Sequence, residues 1–116
     1  MYKAIYLQKR KEFWQEEDIV MPFVLINLET NTLVTDFTGF VIKAGIGEGC
    51  DADILVDNDA IGGVTISGEK FEVHFEREDV GLLCKGIQKL EIEIEKDNKH
   101  FTVYRDKVII REEFID

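Results

Sequence analysis

The sequence predicts an all-β fold: an antiparallel sandwich of two sheets, about seven or eight strands in Greek-key order, with one short helical turn near residues 77–84. Three observations carry that prediction. In "KFEVHFE", Phe71, Val73 and Phe75 share one face while Lys70, Glu72, His74 and Glu76 share the other, and "LEIEIEK" repeats the pattern with Leu90, Ile92 and Ile94 against Glu91, Glu93 and Glu95. Such two-residue alternation is the mark of a strand with one buried and one wet face. Apolar stretches then recur at intervals of about ten residues, separated by turn formers. Between the two cleanest strands, "REDVGLLCKG" breaks the alternation. Asp79, Leu82 and Leu83 there are spaced as one turn of helix, and Gly86 offers a left-handed cap. A turn of that kind crosses between layers, so the two alternating ribbons belong in facing sheets.

The remaining elements follow in chain order. "YKAIYLQ" alternates Tyr2, Ala4 and Tyr6 against Lys3, Ile5 and Leu7, and residues 1–12 read as an N-terminal arm or extra strand. "DIVMPFVLIN" is apolar on both sides and rich in β-branched residues, so it reads as a strand covered on both faces. Pro22 lacks a ladder donor and directs that point to an edge or a bulge. "FTGFVIKAGI" is the next strand, with Gly39 and Gly45 as bends, followed by the short "DILVD" and, after Gly62-Gly63, "GVTISG". "KDNK" turns one strand into "HFTVYR" as a hairpin, because Asp and Asn tolerate the left-handed region, and "RDK" leads on into "VIIRE".

At 116 residues the chain is one domain, 1–116, long enough to bury roughly two-thirds of its unfolded surface without metals or disulfides. No apolar run approaches the roughly 20 residues of a membrane span, and the N-terminus has no signal-peptide core, so cytoplasmic synthesis is expected. The formal net charge of −10 repels phosphate backbones and argues against nucleic acid as a partner. Cys50 and Cys84 are far apart, in no metal-like spacing, and are expected to be reduced.

Residues with chemical potential are few. His74 and His100 each fall on the polar side of a strand, without the three or four convergent ligands a zinc or catalytic site needs. "CDADILVDND" offers Asp51, Asp53, Asp57, Asn58 and Asp59 to calcium, but Ile54, Leu55 and Val56 interrupt the oxygens. Thr65 and Ser67 lack a nucleophile elbow, and no lysine follows Gly62-Gly63 as in a phosphate loop. Glu72, Glu91, Glu93 and Glu95 read as a solvating face that discourages edge-to-edge association. An enzyme is not expected, nor a cofactor. Tyr2, Tyr6, Phe13 and Trp14 are the candidates for an interface anchor.

From Trp14 to Glu112 the order of features resembles the small immunoglobulin-like β-sandwich domains at the N-termini of upper baseplate and related tail-associated proteins of tailed phages and prophages. The matching stretches are "FWQEEDIVMPFVLINLET", "LVTDFTGFVIKAGI", "GVTISGEKFEVHFEREDVGLLCKGIQKLEIEI" and "HFTVYRDKVIIRE". The sequence departs from the family after Gly86, where Ile87, Gln88 and Lys89 stand in place of an aromatic residue, which bears on the family's tyrosine-corner hydrogen bond. The resemblance implies a virion structural or assembly component that docks on other tail proteins or on itself, without catalysis. A carbohydrate- or calcium-binding sandwich using the Asp51–Asp59 loop is the alternative.

Overall fold

The structure, a computed structural model, describes residues 1–47 and 53–112. Among these the backbone forms ten strands and one helical turn. The first sheet orders β1 (Tyr2–Tyr6), β3 (Ile19–Asn27), β8 (Lys70–Phe75) and β7 (Val64–Ser67), with the two-residue β4 (Thr32–Leu33) also paired to β3. The second orders β2 (Glu12–Trp14), β10 (Lys99–Arg111), β9 (Gly86–Lys96), β5 (Val41–Gly47) and β6 (Asp53–Asp57). All strand pairings are antiparallel except that of β2 with β10. The result is a β-sandwich. Its strand count exceeds the expected one because β2 and β4 are too short to show alternation.

The core lies between the sheets. Met21, Phe23 and Leu25 of β3, Phe71, Val73 and Phe75 of β8, and Leu90 and Ile92 of β9 are fully buried. Phe23 stacks on Phe71 with ring centroids 5.4 Å apart and meets the edge of Tyr104 at 4.9 Å. Each such side chain contributes about 1.5–3 kcal/mol by leaving water. As the alternation predicts, the "KFEVHF" and "EIEIE" ribbons sit in opposite sheets, β8 and β9.

The helical turn between them, α1 (Arg77–Val80), buries Val80 and Leu83 at one end of the sandwich. A helix start leaves N–H groups without partners. Here Asp18, from the approach to β3, accepts the Arg77 N–H at 2.8 Å. Gly81, not Gly86, follows the turn, and in right-handed geometry; Gly86 opens β9 at φ 108°. Gln88, only 2% exposed, donates from Nε2 to the Cys84 carbonyl at 2.7 Å, so a side chain early in β9 ties the corner back to itself without a tyrosine.

Several local expectations are corrected. Pro22 lies at neither an edge nor a bulge but inside β3, between β1 and β8. In an antiparallel strand a residue's N–H and C=O face the same neighbour. The Pro22 carbonyl accepts Leu7 N–H, so its missing donor faces β1 at the point where that strand stops. Gly45 is no bend; it is an extended strand residue paired with Leu55 and Glu91. The Asp97-Asn98 turn forms as expected, both residues at positive φ. Cys84 is disulfide-bonded rather than reduced, and the sequence's other cysteine, Cys50, lies outside the described residues.

Candidate functional site

The feature least explained by folding is the outer face of the first sheet. Because Ala4, Met21, Phe23 and Leu25 point inward, the intervening residues of β1 and β3 point outward. These are Lys3 and Ile5 on β1, and Val20, Pro22, Val24 and Ile26 on β3. Register places Ile5 beside Val24 and Leu33 beside Ile26, while the hydrogen bond from Leu7 N–H brings Leu7 beside Pro22. Ile5 is 39% exposed, Val20 40% and Leu7 and Leu33 43%. The strand read from the sequence as covered on both faces is covered on one. Apart from Lys3, polar residues on this face begin at β8, where Lys70, Glu72 and His74 lie opposite Val24, Pro22 and Val20. A contiguous apolar patch of this kind on an exterior is a mark of association.

The expected interface residues fare unequally. Residues 1–12 form no free arm: Tyr2–Tyr6 make five registered pairs with β3, and Phe13 and Trp14 lie in β2 against β10. Phe13 is a core residue, 3% exposed, and presents nothing to a partner. Its face turned inward because the parallel pairing sets it beside buried Ile110. Tyr2 packs edge-on against Phe40 and Phe101 at 5.4 and 5.5 Å. The Tyr6 hydroxyl donates to the Arg10 carbonyl at 2.7 Å, and burial raises its pKa. Trp14, 43% exposed, is the one of the four substantially open to solvent.

The aspartates of the acidic loop do not converge. Asp53 and Asp57 stand at opposite ends of β6, about 13 Å apart at the strand's rise per residue, and Asp51 lies outside the described residues. Asp57 is buried, and its Oδ1 accepts N–H groups from Asp59, Ile61 and Gly62, each at 3.0 Å. Burial raises its pKa, but the three hydrogen bonds outweigh that and hold it below the ordinary value. Next to it, Asn58 mimics a strand: Oδ1 accepts Ile42 N–H at 2.7 Å and Nδ2 donates to the Phe40 carbonyl at 3.1 Å. The loop then brings Gly63 against Val56, so closely that a Cβ would lie 2.6 Å from the valine side chain. Gly63 at φ 101° is therefore required, and its carbonyl accepts His74 N–H at 2.8 Å. This corner joins the sheets; its acidity is structural.

The histidines do not meet, since His74 is in the first sheet and His100 in the second. His74 Nε2 is buried without a hydrogen bond, 3.6 Å from Asp18. The Arg77 N–H is the main cause that lowers the Asp18 pKa, with burial opposing and His74 adding to it. Thr65 and Ser67 are exposed on β7. Among the described residues no three of His, Cys, Asp and Glu cluster as metal ligands.

On the second sheet a groove of about 400 Å³ runs over β5, floored by Gly45 and Gly47 and walled by Leu55, Lys89, Glu91 and Glu93. It is an open trough of mixed charge. Sequence reasoning missed the first sheet's outer face, although its signal was present in the unbroken apolar run from Ile19 to Ile26. Among the described residues no helix is long and apolar enough to cross a membrane. Neither a known family model nor any curated protein matches this chain.

Proposed function

We propose that this chain is a non-catalytic docking module that binds other proteins through the outer face of its first sheet. One observation carries the reading: Ile5, Leu7, Val20 and Leu33 stay exposed on a single face beside Pro22, Val24 and Ile26. The finer fold assignment is immunoglobulin-like. Its support is strand order: β1-β3-β8-β7 corresponds to the A-B-E-D sheet of that fold, and β10-β9-β5-β6 to G-F-C with an added C′ strand. Gln88 takes the corner role that a tyrosine fills in such domains.

The setting we propose is a phage or prophage tail apparatus of baseplate type, and its support is the residue pattern described from Trp14 to Glu112. Tail, tape-measure or holin genes beside the coding sequence are the expected finding; metabolic genes on both sides would remove that setting. The docking reading has its own test in an apolar dye such as ANS, whose fluorescence on the native protein should fall when Val24 becomes Glu. A calcium role draws no support from Asp57, whose Oδ1 is already engaged by backbone. Millimolar calcium is expected to leave the melting temperature unchanged.

A further inference from the structure

We infer that the free edge of β1 is a further binding site, which takes an acidic, extended peptide of a partner protein as an added strand. The site is separate from the outer face of β3 and does not rest on the docking reading.

Backbone parity opens the edge. Leu7 N–H donates to the Pro22 carbonyl and Leu28 N–H to the Met1 carbonyl, so the odd-numbered residues of this segment bond to β3. Tyr2, Ala4 and Tyr6 therefore turn their N–H and C=O groups away from β3, and among the described residues no strand pairs with them. The nearby edge of β10 is engaged: Asp106 Oδ1 accepts the Lys107 N–H at 2.8 Å, and β2 pairs with Ile109, Ile110 and Arg111. Between β1 and β10 lies a cleft of about 480 Å³, whose lining includes Lys3, Ala4, Tyr6, Lys11, Tyr104 and Arg105. A strand laid along β1 bonds to the main chain of Tyr2, Ala4 and Tyr6 and sets alternate side chains into that cleft. Main-chain bonds supply the affinity in this mode of recognition, and the side chains supply the selectivity.

Charge selects the occupant. Residues 1–11 hold four cations, Lys3, Lys9, Arg10 and Lys11, and no carboxylate, while all 24 carboxylate side chains of this −10 chain fall in the remainder. Arg10 pairs with Glu17, Lys11 with Asp106 and Arg105 with Glu91. The Tyr104 hydroxyl donates to the same Asp106 oxygen at 3.1 Å, so Lys11 is held in place at the cleft. Lys3 and Lys9 have no ion-pair partner among the described residues. The net charge of the chain opposes an acidic ligand, but at physiological salt charges are screened beyond about 8 Å, so the local cations decide. Opposite charges on neighbouring strands stabilise a pairing and like charges oppose it. A lysine in the middle of an edge strand therefore turns away a second β1, which brings the same four cations, and admits a strand that carries carboxylates.

The test is fluorescence anisotropy of a labelled octapeptide of alternating Glu and Val. Its comparisons are the Lys-Val counterpart, the Glu-Val peptide N-methylated throughout, and the Lys3→Glu protein with far-UV circular dichroism as the folding control. The expected result is saturable binding of the Glu-Val peptide to the wild type at physiological salt and none of the Lys-Val peptide. N-methylation should weaken binding about tenfold or more, because several main-chain hydrogen bonds are lost together, and Lys3→Glu about threefold or more. No Glu-Val binding up to millimolar concentration overturns the inference. Equal binding of the N-methylated peptide overturns it as well, since the cations then hold any anion without an added strand. Unchanged affinity in folded Lys3→Glu also overturns it, because the peptide then lies elsewhere. So does a wild type that runs at twice the 13.4 kDa of one chain in size exclusion and splits when the peptide is added, since a second copy then holds the edge.

Discussion

The two outer faces of this sandwich are built on equal numbers of strands and handle water in opposite ways. On the second sheet, charges of both signs alternate across the strands: Glu91 reaches Arg105 at 3.0 Å, Glu93 lies opposite Lys43, and Glu12 pairs with Arg111. Each exposed pair contributes little, about 0–1 kcal/mol, but together they keep the face hydrated and discourage sticking. On the first sheet, β3 places Val20, Pro22, Val24 and Ile26 where β9 places Lys89, Glu91, Glu93 and Glu95. The inward residues of both strands do the same work. What distinguishes the faces is therefore carried by the outward residues alone: the second sheet's exposed Trp14, Leu55 and Ile87 stand apart among charges, whereas the apolar residues of β3 form an unbroken row.

The sharpest way to break this comparison uses neighbours in β3. Phe23→Ala, which empties a fully buried site, is expected to cost about 3–5 kcal/mol in chemical denaturation. Val24→Glu, one residue on, should change monomer stability by no more than about 0.5 kcal/mol. Equal losses would mean that the outer face is part of the monomer's own packing. Next in size is Gln88→Ala, which removes the hydrogen bond to the Cys84 carbonyl and should cost about 0.5–1.5 kcal/mol.

Acid should act on both ends of the fold. Asp18 in the first sheet's entry turn and Asp57 at the second sheet's edge both have lowered pKa values. A lowered native value means that the unfolded chain takes up protons first. The stabilisation is thus complete above the ordinary carboxylate pKa of about 4 and is lost as pH falls through the native values. Asp57→Asn keeps an acceptor oxygen, so its melting curve should show a shallower acid limb with little change at neutral pH. A limb as steep as the wild type's would mean that other carboxylates carry the effect. Smallest is Glu91→Ala, about 0.2–1 kcal/mol and weaker at high salt, because the pair with Arg105 is exposed.

The sequence made most of the fold legible wherever one face of a strand is wet. β8, β9 and the hairpin into β10 alternate cleanly, and the bridge at Arg77–Val80 marks the crossing between sheets. β3 was recognisable as a strand, but an apolar outward residue looks the same in sequence whether a neighbour covers it or not. The outer face of β3 was misread for that reason. Pro22 was unreadable in a related way: its tolerance depends on where β1 ends, which is a matter of register between strands. Phe13 resembled an anchor because β2 is three residues long and pairs with a strand far along the chain. Asp57 and Asn58 looked like ligands because nothing local reveals that their oxygens face backbone donors.

The opening fifteen residues divide themselves between the layers, β1 in one and β2 in the other, like a strap buckled across the seam. The buckle is late: Phe13 settles beside Ile110, so β2 must wait for β10 before it can lock. Pairing so remote slows folding. During that interval the edge of β10 that β2 will cover stands open, and for a nascent molecule crowded among its siblings that is the hour of greatest risk.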